Sequence, residues 1–143
     1  MHEQLKNEIK DDILGKKYLL SIALISAPKS RKINKKYRRE DKPTNVLSFA
    51  LRKNEGEILL CPEIIRKEAK NSDKTYAQFM LFLVIHGMLH LKGMKHSSTM
   101  EKAEKIFYNK YKKHDQKHFN RNRYGIPNNQ SGGGRIYKGR KKS

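Results

Sequence analysis

The chain has no tryptophan, one cysteine and four prolines, and only 14 acidic residues stand against 33 lysines and arginines. Each shortage excludes something. Cys61 has no partner for an internal disulfide, so it fits a reducing cytoplasm and reads as a small buried hydrophobe rather than a ligand. No apolar run reaches the ~18 residues of a transmembrane helix. The first twenty residues carry Glu3, Glu8, Asp11 and Asp12 and lack the apolar stretch of a signal peptide. These features predict a cytoplasmic protein with no membrane segment. The scarcity of acid leaves a formal net charge of +19 on 143 residues. Such an excess speaks of partners and solubility rather than fold. Nucleic acid is the first partner to expect, because its phosphates exchange counterions for Lys and Arg; a membrane surface is the second. The length suggests one domain, and 36% hydrophobic residues suffice for a modest core.

What the chain does have is histidine in one pattern. His86, His90 and His96 form HxxxHxxGxxH within Val84–His96. Residues at i and i+4 of a helix lie one above the other, so His86 and His90 can face one ion. A continued helix would carry His96 roughly 15 Å further along the axis, out of reach. Gly93 offers the remedy, since a glycine after the last apolar residue is a helix stop that accepts left-handed geometry. The turn can return His96 as a third ligand. Three protein ligands leave a tetrahedral Zn²⁺ one open position, the catalytic arrangement. Zinc is the first expectation; nickel, copper or iron would accept the same ligands. The competing reading is a set of hydrogen-bonded core histidines. The spacing is that of the metzincin peptidases with one change: Gly87 stands where they carry the glutamate general base. A metallopeptidase is therefore disfavoured.

The remaining segments read in order. Residues 1–16 form a polar helix with a thin apolar stripe at Leu5, Ile9 and Ile13, and Tyr18–Ser26 forms a buried strand. A basic helix opens at Pro28 and runs to about Tyr37. After a polar loop at 38–45 come strands at Val46–Leu51 and Glu57–Cys61, then a helix from Pro62 to about Lys70. Thr75–Leu91 is apolar nearly all round, as befits a central helix packed on several sides. Ser97 or Ser98 caps a last helix, with Glu101 placed for a capping box, ending near Lys113. Residues 119–143 carry seven cations and no acid, and Gly132-Gly133-Gly134 interrupts them. They read as a disordered basic tail, either an RNA-binding arm or a solvated appendage. Without it, residues 1–118 keep a charge of +12.

Tyr37–Phe49 (YRREDKPTNVLSF) resembles the YRGKDxPTDVLSF signature of the YbeY family. Gly56–Glu63 resembles its following GDIxIxP segment, and His86–His96 its HGxLHLxGYDH motif. The resemblance covers about residues 18–112. It implies an α+β fold, with a small mixed sheet packed with helices around a central metal-ligand helix. It also implies one zinc per chain held by His86, His90 and His96, and a functional role for Arg38. The activity implied is that of a zinc-dependent, single-strand-specific endoribonuclease in 16S rRNA 3′-end maturation and ribosome quality control. Its partners would be single-stranded RNA, 16S rRNA and the small ribosomal subunit, with ribosomal proteins or an assembly GTPase as further candidates. There are departures: Met94-Lys95 stands for Tyr-Asp, Arg39-Glu40 for Gly-Lys, and the N-terminus is helical where the family begins with a strand.

Arg38 suits a scissile phosphate through its planar fork; the plainer reading is a surface ion pair with Glu40 or Asp41. Asp41, Glu57 and Glu63 are general-base candidates if the fold brings them to the metal. The reading is metal-assisted phosphodiester hydrolysis by a metal-bound water; attack by the substrate's own 2′-OH, which needs no metal-bound nucleophile, stays open as an alternative. The alternative class is a non-catalytic ribosome-assembly factor that binds RNA and keeps a structural metal.

Overall fold

The computed structural model describes residues 2–122, with side chains as far as Lys113. The elements run α1 (Glu3–Ile13), β1 (Leu19–Leu24), α2 (Ala27–Arg38), β2 (Val46–Arg52), β3 (Glu55–Leu60), α3 (Pro62–Ala69), α4 (Tyr76–Leu91) and α5 (Ser98–Asn122). β1, expected as a buried strand, is an edge strand with Leu19 and Leu24 exposed, because only β3 flanks it in the sheet. The order matches the sequence reading, with boundaries shifted by three residues or fewer. The exception is α5, which continues past Lys113 to Asn122, four residues into the segment read as tail. Residues 123–143 of that segment lie outside the described residues.

The sheet is mixed, in the order β1-β3-β2. β2 and β3 form an antiparallel hairpin across Lys53-Asn54, with a bulge near Ala50 and Arg52. β1 joins β3 in parallel, which requires the long connection through α2. Side chains alternate faces along a strand. Ile58 and Leu60 of β3 therefore share a face with Val46 of β2 and with Leu20 and Ile22 of β1, and this is the face α4 covers.

Helix α4 starts from a reciprocal cap. Thr75 Oγ1 accepts from Gln78 N at 3.1 Å, and Gln78 Oε1 accepts from Thr75 N at 3.0 Å. Leu81, Val84, Ile85 and Met88 are fully buried on it, between the sheet, α1, α3 and α5. Packing on so many sides explains why its apolar residues show no single stripe. Helix α1 docks through Leu5, Ile9 and Ile13, as expected. Two polar ties hold its C-terminal end. Lys92 Nζ donates to Ile13 O at 3.1 Å, and Asp12 Oδ2 accepts from Lys110 Nζ at 2.6 Å and Tyr111 Oη at 2.7 Å.

Helix α2 begins at Ser26, whose side chain caps Lys29 N, and it buries Ser30 and Asn34 instead of hydrophobes. Both hold the 41–45 loop. Ser30 Oγ donates to Thr44 O at 2.9 Å, and Asn34 Nδ2 donates to Lys42 O at 2.8 Å. The helix ends at Arg39, in the left-handed region with φ 60°. That conformation is easy for glycine and costs other residues on the order of 1 kcal/mol.

Candidate metal centre

The three histidines meet at the C-terminal end of α4. His86 and His90 stand one turn apart, with ring centroids 4.6 Å from each other. The helix stops as its glycine requires: Gly93 has φ 108°, Gly93 N bonds His90 O, and Met94 N bonds Leu89 O. This reversal brings the His96 ring within 4.6 Å of His90 and 5.4 Å of His86. One nitrogen from each ring lies within 4.8 Å of the others, close enough to hold one metal ion.

The outer nitrogens explain how the rings are aimed. His86 Nδ1 donates to Glu104 Oε2 at 2.5 Å, and His90 Nδ1 donates to Met94 O at 3.1 Å. With both Nδ1 atoms occupied, each ring has its Nε2 left for a ligand role. This is the pairing seen behind metal-binding histidines, where an outer partner fixes tautomer and orientation. Burial, with the neighbouring His86 and His96, pushes the His90 pKa down. That favours the neutral imidazole a metal needs. The donor set fits a borderline divalent metal such as zinc.

Glu104 escaped the sequence reading, although a signal was present. On α5, Met100, Ala103, Glu104, Phe107, Tyr108 and Tyr111 make one apolar stripe at helical spacing, and Glu104 is the acid inside it. Only 8% of it is exposed. An acid so buried needs a partner, and the partner is His86.

The histidines open into a cleft of about 420 Å³ lined by Arg38, Asn45, Val46 and Ser48. Arg38 reaches it from the last turn of α2 and donates to Val46 O at 3.3 Å. The surface ion pair considered for Arg38 is made by Arg31 instead, whose Nε lies 2.6 Å from Asp41 Oδ1. Asp41, so paired, does not line the cleft. Glu57 alternates to the sheet face away from Gly56 and Ile58, and Glu63 sits in the first turn of α3; neither lines the cleft. Among the described residues no carboxylate does.

Two departures from the family motif become intelligible. Met94 serves His90 through its main-chain oxygen, which any residue supplies. Lys95 is exposed and does not line the cleft. Gly87 faces the sheet, where a Cβ would lie 2.9 Å from Ser48 Oγ and 3.0 Å from Ile58 Cδ1.

Comparison with known proteins agrees with this geometry. The chain is 35% identical over 117 residues to an endoribonuclease YbeY of Mycoplasmopsis synoviae, covering 75% of this chain and 76% of that protein. It is 39% identical over 92 residues to the Colwellia psychrerythraea protein of the same name, covering 59% of each. A solution structure of a Thermotoga maritima protein superposes with a TM-score of 0.63 at 28% identity, covering 90% of this chain and 91% of that one. A family model described as Endoribonuclease YbeY matches residues 1–117, and with it the chain belongs to the YbeY family.

Proposed function

We propose that the chain is a metal-dependent endoribonuclease acting on single-stranded RNA, with zinc at His86, His90 and His96. In the cell its substrate would be the 3′ region of 16S rRNA during maturation and quality control of the small subunit. The observation that carries the reading is the make-up of the cleft: three histidines and Arg38 line it, and among the described residues no acid does. A cleft of this sign attracts a phosphodiester and lacks the base that peptide hydrolysis requires. The names of the relatives and the net charge of +19 point the same way.

A bound divalent metal supplies Lewis acidity at a phosphate oxygen and acidifies its water. The chain's own residues do the rest. Glu104 and Met94 O aim His86 and His90. Arg38, anchored on Val46 O, presents its guanidinium to the scissile phosphate and stabilises the charge that grows there. With no carboxylate among the described lining residues, proton removal from the nucleophile falls to solvent. The end groups of the product would tell 2′-OH attack from hydrolysis.

The second reading, an RNA-binding assembly factor with a structural metal, draws on that missing acid. One experiment separates the two: cleavage of a single-stranded RNA by the full chain, with and without chelator, beside Arg38→Ala and Arg38→Lys at matched metal content. The enzyme reading expects activity that chelator removes and Zn²⁺ restores. It expects a loss of ~10²-fold or more in Arg38→Ala, with little recovery by lysine, which lacks the bidentate fork. Metal-loaded wild type that binds RNA without cutting it would establish the assembly factor. Cleavage at the wild-type rate by Arg38→Ala would remove Arg38 from the site.

A further inference from the structure

From Leu81 onward helix α4 is largely buried, with Leu81, Leu83, Val84 and Ile85 between 0% and 4% exposed. Phe82, His86 and His90 are partly open positions there, stacked along one stripe at helical spacing; Leu91, at the helix end, is another. Phe82 lies one turn before the first ligand histidine, and the two rings are nearly parallel, 24° apart with centroids 6.4 Å from each other. Tyr108 of α5 meets Phe82 edge-on at 6.0 Å and 77°. Lys74, from the loop before α4, holds its ammonium 5.1 Å from both ring centroids, and Lys112 lies 5.9 Å from that of Tyr108. Lys74 is paired with Asp73 at a loose 3.8 Å.

Cation–π attraction holds the two lysines beside these rings. The same pairing suits a strand of single-stranded RNA, which presents unstacked bases to aromatic faces and phosphates to cations. We propose that Phe82 and Tyr108, with Lys74 and Lys112, form a nucleobase subsite continuous with the metal cleft. This deepens the nuclease reading and rests on it for the identity of the ligand. A phosphate drawn into the cleft by Arg38 leaves the adjoining base at the Phe82 ring, next to His86. The phosphate beyond that base falls to Lys74 and Lys112. The base is recognised by its π-face, so the subsite demands an unpaired nucleotide and is tolerant of sequence. A duplex keeps its bases stacked and cannot fill it.

The test measures binding, not turnover. Full-length protein is titrated with short 2′-O-methyl RNA strands in which one abasic position is moved stepwise along the sequence. Wild type should show one position at which the missing base weakens binding by about tenfold. Phe82→Leu keeps an apolar side chain in the half-buried place and should lose that sensitive position at unchanged metal content. Phe82→Tyr should keep it. Lys74→Gln, at a partly exposed loop position, should reduce the slope of log affinity against log salt by about 0.7, one single-strand phosphate contact. A wild type indifferent to every abasic position, or a Phe82→Leu profile identical to wild type, overturns the subsite. A sensitive position in a protein that does not cut RNA sinks the nuclease reading and leaves the subsite standing; cleavage without a sensitive position does the reverse.

Discussion

At the scale of single residues, Glu104 carries more of the site than its distance from the histidine motif suggests. It touches neither cleft nor substrate, yet it sets which nitrogen of His86 is free. Glu104→Ala should lower metal affinity by about 10–100-fold, the range for removing the outer partner of a ligand histidine. Glu104→Gln still accepts the Nδ1 hydrogen through its amide oxygen and should fall between the two. Competition against a chromophoric chelator measures both, and equal affinity in all three proteins would reduce Glu104 to a packing residue. The clustering of the three histidines was legible in the sequence because they sit in a short pattern whose spacing has geometric meaning; Arg38 lines the same cleft. Glu104 follows His86 by 18 residues and a change of direction, so no local pattern ties the pair together. Arg39 shows the opposite case. The family signature has glycine there, and the backbone keeps the left-handed turn that glycine would suit, with an arginine in its place.

At the scale of elements, the sequence resolved nearly every helix and strand, because apolar period and turn residues are local properties. What it left open was how they associate. Helix α1 illustrates this: its thin stripe announced a docked face, but not the polar contacts that fasten it to α5. Asp12 is the centre of those contacts, and its hydrogen bonds from Lys110 and then Tyr111 hold its pKa below the ordinary carboxylate value. A depressed folded pKa gives stability that is present above the unfolded value of roughly 3.9 and is lost as pH falls through the folded one. Asp12→Asn should therefore lower stability at neutral pH by about 1 kcal/mol. The gap between variant and wild type should close below about pH 4. Denaturant melts at several pH values check this; a gap that does not change with pH would mean the carboxylate's charge is irrelevant. The N-terminal end of α5 was also partly legible. Ser97 does cap it, through Met100 N at 3.2 Å.

At the scale of the whole molecule, charge is the property the sequence states most plainly. Helix α5 reaches Asn122, so a truncation at that point removes Arg123, Arg135, Lys138, Arg140, Lys141 and Lys142 without cutting into it. Deleting 123–143 should weaken binding to all RNAs alike and flatten its salt dependence, because phosphate contacts carry no sequence information. Unchanged affinity at low salt would make the segment a solvated appendage. The closeness of α4 to the sheet has a different kind of consequence. At Gly87 the two layers leave no room for so much as a methyl group without displacing Ser48 or Ile58. The motif differs from that of a peptidase by one codon's worth of chemistry, but the Glu that would supply it meets Ser48 and Ile58 at its first side-chain carbon. Two enzyme lineages can thus share a ligand pattern and remain separated by a packing distance. A descendant of this chain would have to move Ser48 and Ile58 aside before selection could act on the acid.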